Sequence, residues 1–241
     1  MDTSLDFDIN RQPDCSTCGP TCLHAVYQYY NDPIPLQEVI DEVCFMEEGG
    51  TLAVYLACHA LRRGYKATIF PYNLQIFDPT WSDIPPGDIA AKLRHQLSYK
   101  KDIPGFELVT NAYLEYLELG GQLKFEVMTA SLIRRYLKKS IPILTGLSAT
   151  YLYGDAREYD TGSDLRYDDV RGESTGHFVV LTGYNKEDRS VSVADPLKKN
   201  PIASSRYYSV HIYRLVCAIM LGILSYDGDL LILQTKKRRG Q

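Results

Sequence analysis

A cysteine with a glutamine six positions upstream is the feature of this sequence that points most directly to chemistry. The stretch reads Gln12-Pro-Asp-Cys-Ser-Thr-Cys18-Gly-Pro-Thr-Cys22. Pro20 fits the first turn of a helix, because its missing N–H would have no helical partner there. Cys18 would then lie at the N-terminus of that helix, where unpaired N–H groups and the helix dipole stabilise a thiolate. The pattern predicts Cys18 as a nucleophile, with Gln12 and the Cys18 N–H forming an oxyanion hole.

The second chemical feature is a predicted β-hairpin that carries a histidine and an aspartate. Its first strand opens at Gly176-His177, a turn follows at 185–188, and its second strand ends at Asp195-Pro196. A turn centred on Lys186 would make His177 and Asp195 cross-strand partners on one face. If the turn were shifted, a small bulge could restore that face. A nucleophile, a base and a carboxylate that orients the base are the three parts of a catalytic triad.

The same residues carry a family resemblance. Gln12-x5-Cys18-Gly-Pro, Gly176-His177 at the start of a strand and Ala194-Asp195-Pro196 at the end of the next are similar to the C39-like peptidases of the papain-like superfamily, and more distantly to phytochelatin synthase. The resemblance implies Cys18 as nucleophile, His177 as base, Asp195 as the residue that orients the base and Gln12 in the oxyanion hole. It also implies a papain-like α+β fold. In that fold a helical N-terminal half carries the cysteine, and an antiparallel sheet in the C-terminal half carries the histidine and aspartate.

Further residues are predicted to contact substrate. Gly49-Gly50-Thr51 precedes a predicted helix, where C39-like proteins often have a similar segment, and Gly176 precedes the base. The polar stretch 151–173 lies just before His177 and is predicted to be a loop, either a lid over the cleft or a solvated insertion. Its three arginines could hold a substrate carboxylate or only pair with neighbouring acidic residues; they are Arg157, Arg166 and Arg171.

Composition is typical of a globular enzyme. The chain has 241 residues, 45% of them hydrophobic, so a packed core is expected rather than disorder. One domain over 1–235 is predicted, followed by a basic, disordered tail at 236–241. A net charge of −4 gives no reason to expect a nucleic-acid partner. The longest apolar stretch, 215–224, is too short to span a membrane, and six cysteines without a signal-peptide pattern indicate reduced thiols in the cytoplasm.

The expected activity is that of a cysteine peptidase or amidase, which acts on a peptide or small amide through a thioester and needs no metal or organic cofactor. A peptidyl or γ-glutamyl-type acyltransferase with the same triad is an alternative, and so is a catalytically inactive papain-like module that only binds a peptide. Cys15 and Cys18 could instead form a redox pair, or a zinc site with Cys22 and His24, although the spacing is irregular for zinc. The transporter domains usually fused to double-glycine C39 peptidases do not occur in this sequence, so no export role is expected.

Helices and strands are predicted to alternate, with helices concentrated early. Besides the helix that begins at Cys18, the predicted helices are 36–44, 51–63, 88–99, 106–119, 129–139 and 210–219. Besides the hairpin, the predicted strands are 65–70, 122–127, 141–147 and 230–234. The stretch 71–87 is rich in proline and glycine and is predicted to be a long loop.

Overall fold

The computed structural model describes residues 2–46, 50–160, 165–222 and 228–235. Within these ranges the chain forms eight α-helices and ten β-strands. The helices are α1 (Cys18–Tyr29), α2 (Leu36–Glu42), α3 (Ala53–Arg62), α4 (Pro86–Lys100), α5 (Phe106–Glu118), α6 (Ala130–Leu137), α7 (Ala149–Tyr153) and α8 (Ile212–Leu221). The strands are β1 (Thr3–Ser4), β2 (Lys66–Phe70), β3 (Gln122–Leu123), β4 (Ile143–Ser148), β5 (Glu158–Asp160), β6 (Leu165–Tyr167), β7 (Gly176–Asn185), β8 (Ser190–Ala194), β9 (Tyr207–His211) and β10 (Leu230–Gln234). The predicted tail at 236–241 lies outside the described residues.

One sheet links the two ends of the chain. Its strand order is β3-β2-β10-β4-β7-β8-β9, and β1 pairs with β7. Every pairing in it is antiparallel except that of β2 with β3. The predicted α+β class with a mostly antiparallel sheet is therefore confirmed. The mostly helical N-terminal half also contributes β1 and β2 to this sheet.

Helices cover both faces of this sheet. Side chains alternate between faces along a strand, so Phe178 and Val180 of β7 join the core formed with α1 to α5. Val179 and Leu181 join the core formed with α6 and α8 on the other face. Burial on both faces explains why β7 reads as an almost continuous apolar run.

A chain of polar side-chain contacts, which runs from the core to the surface, fixes α1 against its neighbouring helices. The Tyr27 hydroxyl of α1 lies 2.8 Å from Nδ1 of His59 on α3. The other ring nitrogen of His59 lies 3.0 Å from the Glu42 carboxylate at the end of α2. Because three helices share these contacts, α1, which begins at Cys18, is held against α2 and α3 near its C-terminal end.

Two predicted elements differ from the structure. β3 covers only Gln122–Leu123 instead of 122–127. The segment before α8 is not helical from Val210 but forms β9, in which buried Tyr208 and Val210 alternate with exposed neighbours. That alternation is a strand pattern, but it is short and merges with the apolar run of α8.

Contrary to the prediction, the stretch 151–173 is not one long loop. It begins inside α7 and then contains the small hairpin of β5 and β6, which is separate from the main sheet. Ala149 at the start of α7 donates its N–H to the Thr175 carbonyl at 2.8 Å, just before β7. The start of the stretch is therefore anchored beside the strand that carries His177. Among the described residues, no helix has both the length and the apolar character needed to cross a bilayer.

Candidate active site

Cys18 is the first residue of α1, as predicted, and its side chain is buried. The following residue must be glycine, because a Cβ built on Gly19 would lie 2.5 Å from Cγ2 of Thr51. Thr51 is itself fixed, since its hydroxyl donates to the Cys44 carbonyl at 2.7 Å. The Cys-Gly pair thus lets the N-terminus of α1 pack closely against the segment that leads into α3.

Gln12 reaches the same part of the molecule from the other side. Its backbone N–H donates to the Pro196 carbonyl at 3.0 Å, next to Asp195 in sequence. Its side-chain Nε2 donates to the Asp14 carbonyl at 2.7 Å, and the side chain is buried. Nε2 carries two hydrogens, so one remains for a second acceptor.

A β-bulge between β7 and β8 decides which face carries the catalytic side chains. Beyond the bulge Val180 pairs with Ala194, so Asp195 follows opposite Val179, on the same face as His177. The predicted direct pairing of His177 with Asp195 is wrong, because the turn is centred later than Lys186. The predicted alternative, a bulge that restores a shared face, is what the structure shows.

Asp195 is fully buried and accepts four hydrogen bonds. Its Oδ1 lies 2.9 Å from Nε2 of His177 and accepts the Leu197 N–H at 2.8 Å. Its Oδ2 accepts the hydroxyls of Tyr153 and Tyr208, both at 2.7 Å. The carboxylate is therefore held in one orientation against the imidazole ring.

His177 links this carboxylate to the cysteine. Since Nε2 faces Asp195, Nδ1 is the ring nitrogen left for Cys18, with which His177 forms a side-chain hydrogen bond. The Cys18 sulfur also accepts backbone N–H groups of Phe178 and Gly19. The structure thus joins Cys18, His177 and Asp195 in the order of a nucleophilic triad.

In each of the three groups, charges and hydrogen bonds shift the pKa in the direction opposite to the shift that burial alone would cause. Burial opposes a charged thiolate, but the hydrogen bond and positive charge of His177 outweigh it and lower the pKa of Cys18. Burial would lower the pKa of His177, yet the charge of Asp195 raises it. Burial would raise the pKa of Asp195, yet the imidazolium and the donated hydrogen bonds lower it. All three shifts favour a thiolate–imidazolium pair.

The other cysteines near Cys18 have different surroundings. Cys22, one turn further along α1, is buried and donates its thiol to the Phe178 carbonyl at 3.3 Å. Burial raises the pKa of Cys22 well above its ordinary value. Cys15 is exposed and unpaired, and His24 Nε2 contacts the Ile34 carbonyl at 3.0 Å. In the described part of the chain, no three His, Cys, Asp or Glu side chains lie close enough to hold a metal ion.

The predicted substrate-binding residues fall into two groups. Gly176 and Thr51 adjoin the triad: Gly176 opens β7 opposite Ser148 of β4, and Thr51 contacts Gly19. Gly50 precedes Thr51 with a φ of +76°, in the left-handed region that favours glycine.

The three arginines lie in or beside the β5–β6 hairpin. Arg171 binds Asp168, with Nε and Oδ2 2.6 Å apart, and its guanidinium lies over the Tyr159 ring. Arg157 donates to the Asp169 carbonyl and lines a cavity beside Ser148 and Ser174. Arg171 thus pairs with a neighbouring acidic residue, which is the alternative that the sequence left open to substrate binding.

Sequence reasoning missed the two tyrosines that bind Asp195. The alternating pattern around Tyr208 is a sequence signal that was available, since it marks β9. Tyr153 has no such signal, because its role depends on α7 folding back against β7.

Comparisons with solved structures give distant likenesses that span nearly the whole chain. A double glycine motif protease from an AMS/PCAT transporter, in complex with a leader peptide, is 13% identical with a TM-score of 0.45, over 97% of this chain and 95% of that one. The peptidase domain of Streptococcus ComA, a bifunctional ABC transporter involved in quorum sensing, is 12% identical with a TM-score of 0.43, over 95% and 98%. Xylellain, a cysteine protease from Xylella fastidiosa, is 15% identical with a TM-score of 0.45, over 98% and 86%. No curated protein matches the chain.

The family comparison covers most of the sequence. The sequence model of the Peptidase_C39 like family matches residues 4–214, a range that contains Gln12, Cys18, His177 and Asp195. The resemblance seen in the motifs is therefore confirmed over the part of the chain that builds the site. The chain belongs to the Peptidase_C39 like family.

Proposed function

We propose that this protein is a cysteine peptidase or amidase that cleaves a peptide or small amide by acyl transfer through a thioester on Cys18. The observation that carries the proposal is the buried chain of contacts from Cys18 through His177 to Asp195. It supplies an ionised nucleophile, a base and an orienting carboxylate at one place.

The first step forms the thioester. The Cys18 thiolate attacks the substrate carbonyl carbon, and the carbonyl electrons move to oxygen. Gln12 Nε2, through its second hydrogen, and the Cys18 N–H are proposed to donate to that oxyanion, each donor contributing roughly 3–4 kcal/mol to the transition state. The position of Gln12 beside Pro196 supports this role.

Collapse of the tetrahedral intermediate breaks the C–N bond. His177, protonated while Cys18 is a thiolate, gives its Nδ1 proton to the departing amine. Water then attacks the thioester while His177 removes its proton, which releases the acid and restores the Cys18 thiolate and the imidazolium. An amine acceptor in place of water would make the same enzyme a transferase.

Substrate contacts are proposed for the residues that adjoin the triad, namely Gly176, Gly50 and Thr51. Of the three arginines predicted to bind a substrate carboxylate, Arg157 and Arg166 are proposed for that role, whereas Arg171 is proposed to stay paired with Asp168. The position of Arg157 supports its role, because it lines a cavity that also includes Ser148, the β4 partner of Gly176.

The cytoplasm is the proposed setting. The six cysteines are all unpaired, and a thiol nucleophile requires a compartment that keeps it reduced. Neither a nucleic acid nor a membrane is a proposed partner.

A trapped acyl-enzyme tests the proposal. The purified protein is incubated with a library of tryptic peptides, quenched in acid and analysed by mass spectrometry. We expect cleaved peptides and an adduct on Cys18 that hydroxylamine removes, as it does a thioester. Cys18→Ala should show neither, whereas Cys22→Ala, one turn away, should retain both. Cleavage that survives Cys18→Ala would overturn the assignment.

A further inference from the structure

Two tyrosine hydroxyls converge on the triad carboxylate from different elements. Tyr153 lies at the end of α7, 42 residues before Asp195, and Tyr208 lies in β9, 13 residues after it. Both donate to Oδ2 of Asp195 at 2.7 Å. Neither residue belongs to the triad itself.

We infer that Tyr153 and Tyr208 are positioning residues of the catalytic site, which hold Asp195 as an oriented anion against His177. The inference rests on the proposed function, because it assigns the two hydroxyls a role in activating Cys18.

The hydrogen-bond count of Asp195 supports this role. An ionised carboxylate has about four acceptor positions. The His177 ring and the Leu197 N–H occupy those of Oδ1, and the two tyrosines occupy those of Oδ2. Because Asp195 is fully buried, a lost donor would leave an acceptor position without water to replace it. Rotation of the carboxylate away from His177 would lose several bonds at once.

The backbone fixes both tyrosines relative to the triad. Thr175, two residues before His177, is bonded at both its carbonyl and its N–H to the first turn of α7, which carries Tyr153. The Asp195 N–H donates to the Arg206 carbonyl at 2.9 Å, just before Tyr208. The hydroxyls are thus part of the same framework as the residues they serve.

Neutral donors suit this position better than a cation would. Burial, followed by the charge of Asp195, raises the pKa of both tyrosines far above the ordinary value, so each hydroxyl keeps its proton. They stabilise the anion without adding a positive charge that would compete with the imidazolium. The full charge of Asp195 remains available to keep His177 protonated beside the Cys18 thiolate.

The pH dependence of Cys18 alkylation tests the inference without a substrate. Iodoacetamide labelling of Cys18 is followed by mass spectrometry from pH 5 to pH 10 for the wild type, Tyr153→Phe and Tyr208→Phe. Tyr207→Phe is the matched control, since its hydroxyl also donates to a carboxylate, that of Asp8, at 2.8 Å. We expect each of the two tested variants to be labelled about threefold to tenfold more slowly at pH 6, because a less firmly held Asp195 lowers the thiolate fraction. The rates should converge near pH 10, where an ordinary thiol is also ionised.

The same substitutions in an Asp195→Ala background, which leaves the hydroxyls no carboxylate to hold, separate positioning from packing. If the tyrosines act through Asp195, each should then slow labelling by less than about twofold. Unchanged profiles in both single variants, or an undiminished effect in the Asp195→Ala background, would overturn the inference. A wild type labelled with an ordinary thiol profile would instead contradict the activated Cys18 of the proposed function. The two tyrosines lie on separate elements, so a variant that fails to fold leaves the other to decide.

Discussion

Asp195 and Asp229 are both buried carboxylates at strand ends of one sheet, yet their pKa values move in opposite directions. Asp195 follows β8, and its pKa lies below the ordinary value. Asp229 precedes β10, and burial raises its pKa to about 7. Equal burial therefore does not decide whether a carboxyl group is ionised.

The partners of the two groups account for the difference. Asp229 accepts the Tyr113 hydroxyl at 2.7 Å and, more distantly, the Tyr72 N–H at 3.4 Å. Both donors are neutral, and they do not offset the cost of burying a charge. Asp195 has neutral donors as well, but it also faces the His177 imidazolium. The positive charge, rather than the number of hydrogen bonds alone, makes Asp195 an anion.

Cys18 and Cys22 repeat this comparison with thiols. Both are buried on α1 one turn apart, but only Cys18 contacts His177. The pKa of Cys18 is lowered, whereas burial and the nearby charges of Cys18 and Asp195 raise that of Cys22. His177 thus favours the ionised form of Cys18 rather than Cys22, and of Asp195 rather than Asp229.

Removal of the imidazole should break the comparison and has the largest expected effect. His177→Ala leaves Asp195 buried with neutral donors only, as Asp229 is. We expect activity on peptides to fall about 10²–10⁴-fold, because the base and the partner of the thiolate are both lost. The pKa of Cys18, measured by alkylation, should rise toward that of an ordinary buried thiol.

His59→Ala is the control for this change. His59 is also buried and also bonded to a carboxylate, that of Glu42. The substitution should lower the melting temperature but leave Cys18 labelling of the folded protein unchanged. Equal losses of labelling in the two variants would mean that His177 acts through stability rather than chemistry.

Exchange of each carboxyl group for an amide should have the next largest effect. Asp195→Asn keeps a carbonyl oxygen toward His177, while its NH₂ group faces two hydroxyls that can turn to accept. The ring therefore stays oriented, as asparagine orients it in papain-like proteases, and we expect kcat to fall about 10–100-fold, less than in His177→Ala. Asp229→Asn should leave kcat within about twofold. A larger loss from Asp229→Asn than from Asp195→Asn would refute the assigned roles.

The sequence allowed the chemistry at Cys18 and His177 to be predicted because local signals mark both. Pro20 and the apolar spacing after it mark the start of α1. An apolar run, a polar turn and an alternating strand mark the β7–β8 hairpin. The bulge that sets the face of Asp195 was foreseen only as an alternative, because a single inserted position leaves no clear compositional mark.

Asp229 and Tyr153 show what local signals could not predict. Asp227-Gly-Asp229 has the composition of a turn. No neighbouring residue in the sequence indicates that Tyr113 of α5 will donate a hydrogen bond to Asp229. Tyr153 lies in a polar stretch predicted to be a loop, and its bond to Asp195 exists only because α7 packs beside β7. Both residues depend on tertiary contacts between distant segments.

The pH dependence of stability should reveal the second carboxyl group. The pKa of Asp229 is raised on folding from 3.8 to about 7, so the folded protein binds its proton more tightly than the unfolded chain does. This stabilisation is complete below pH 3.8 and is lost as the pH rises through 7. Asp229→Asn does not titrate, so relative to the wild type it should gain about 2–4 kcal/mol between pH 4 and pH 8.

Urea unfolding of both proteins at pH 4 and pH 8 measures this gain. Tyr113→Phe is a useful companion, since it removes a hydroxyl that favours the anion and should steepen the loss of stability at high pH. Parallel pH dependence in the wild type and Asp229→Asn would show that Asp229 titrates normally.

Asp168 pairs with a cation, Arg171, as Asp195 does with His177, but this pair lies at the protein surface. Its loss is expected to have the smallest effect on activity. Asp168 is partly buried beside the exposed Arg171, and the N–H groups of Arg171 and Val170, with the Arg171 guanidinium, lower its pKa to about 2. Surface ion pairs contribute little to stability, and Arg171 is already bound to Asp168 beside its own hairpin. Arg171→Ala should therefore change KM by less than about twofold for peptides with either a free or an amidated C-terminus.

Arg157 lines the cavity beside Ser148 and Ser174, so Arg157→Ala should raise KM for the free acid more than for the amide. If Arg171→Ala raises KM for the acid alone, Arg171 leaves Asp168 to bind substrate. The Asp168 carboxylate would then compete with the substrate carboxylate for the same guanidinium.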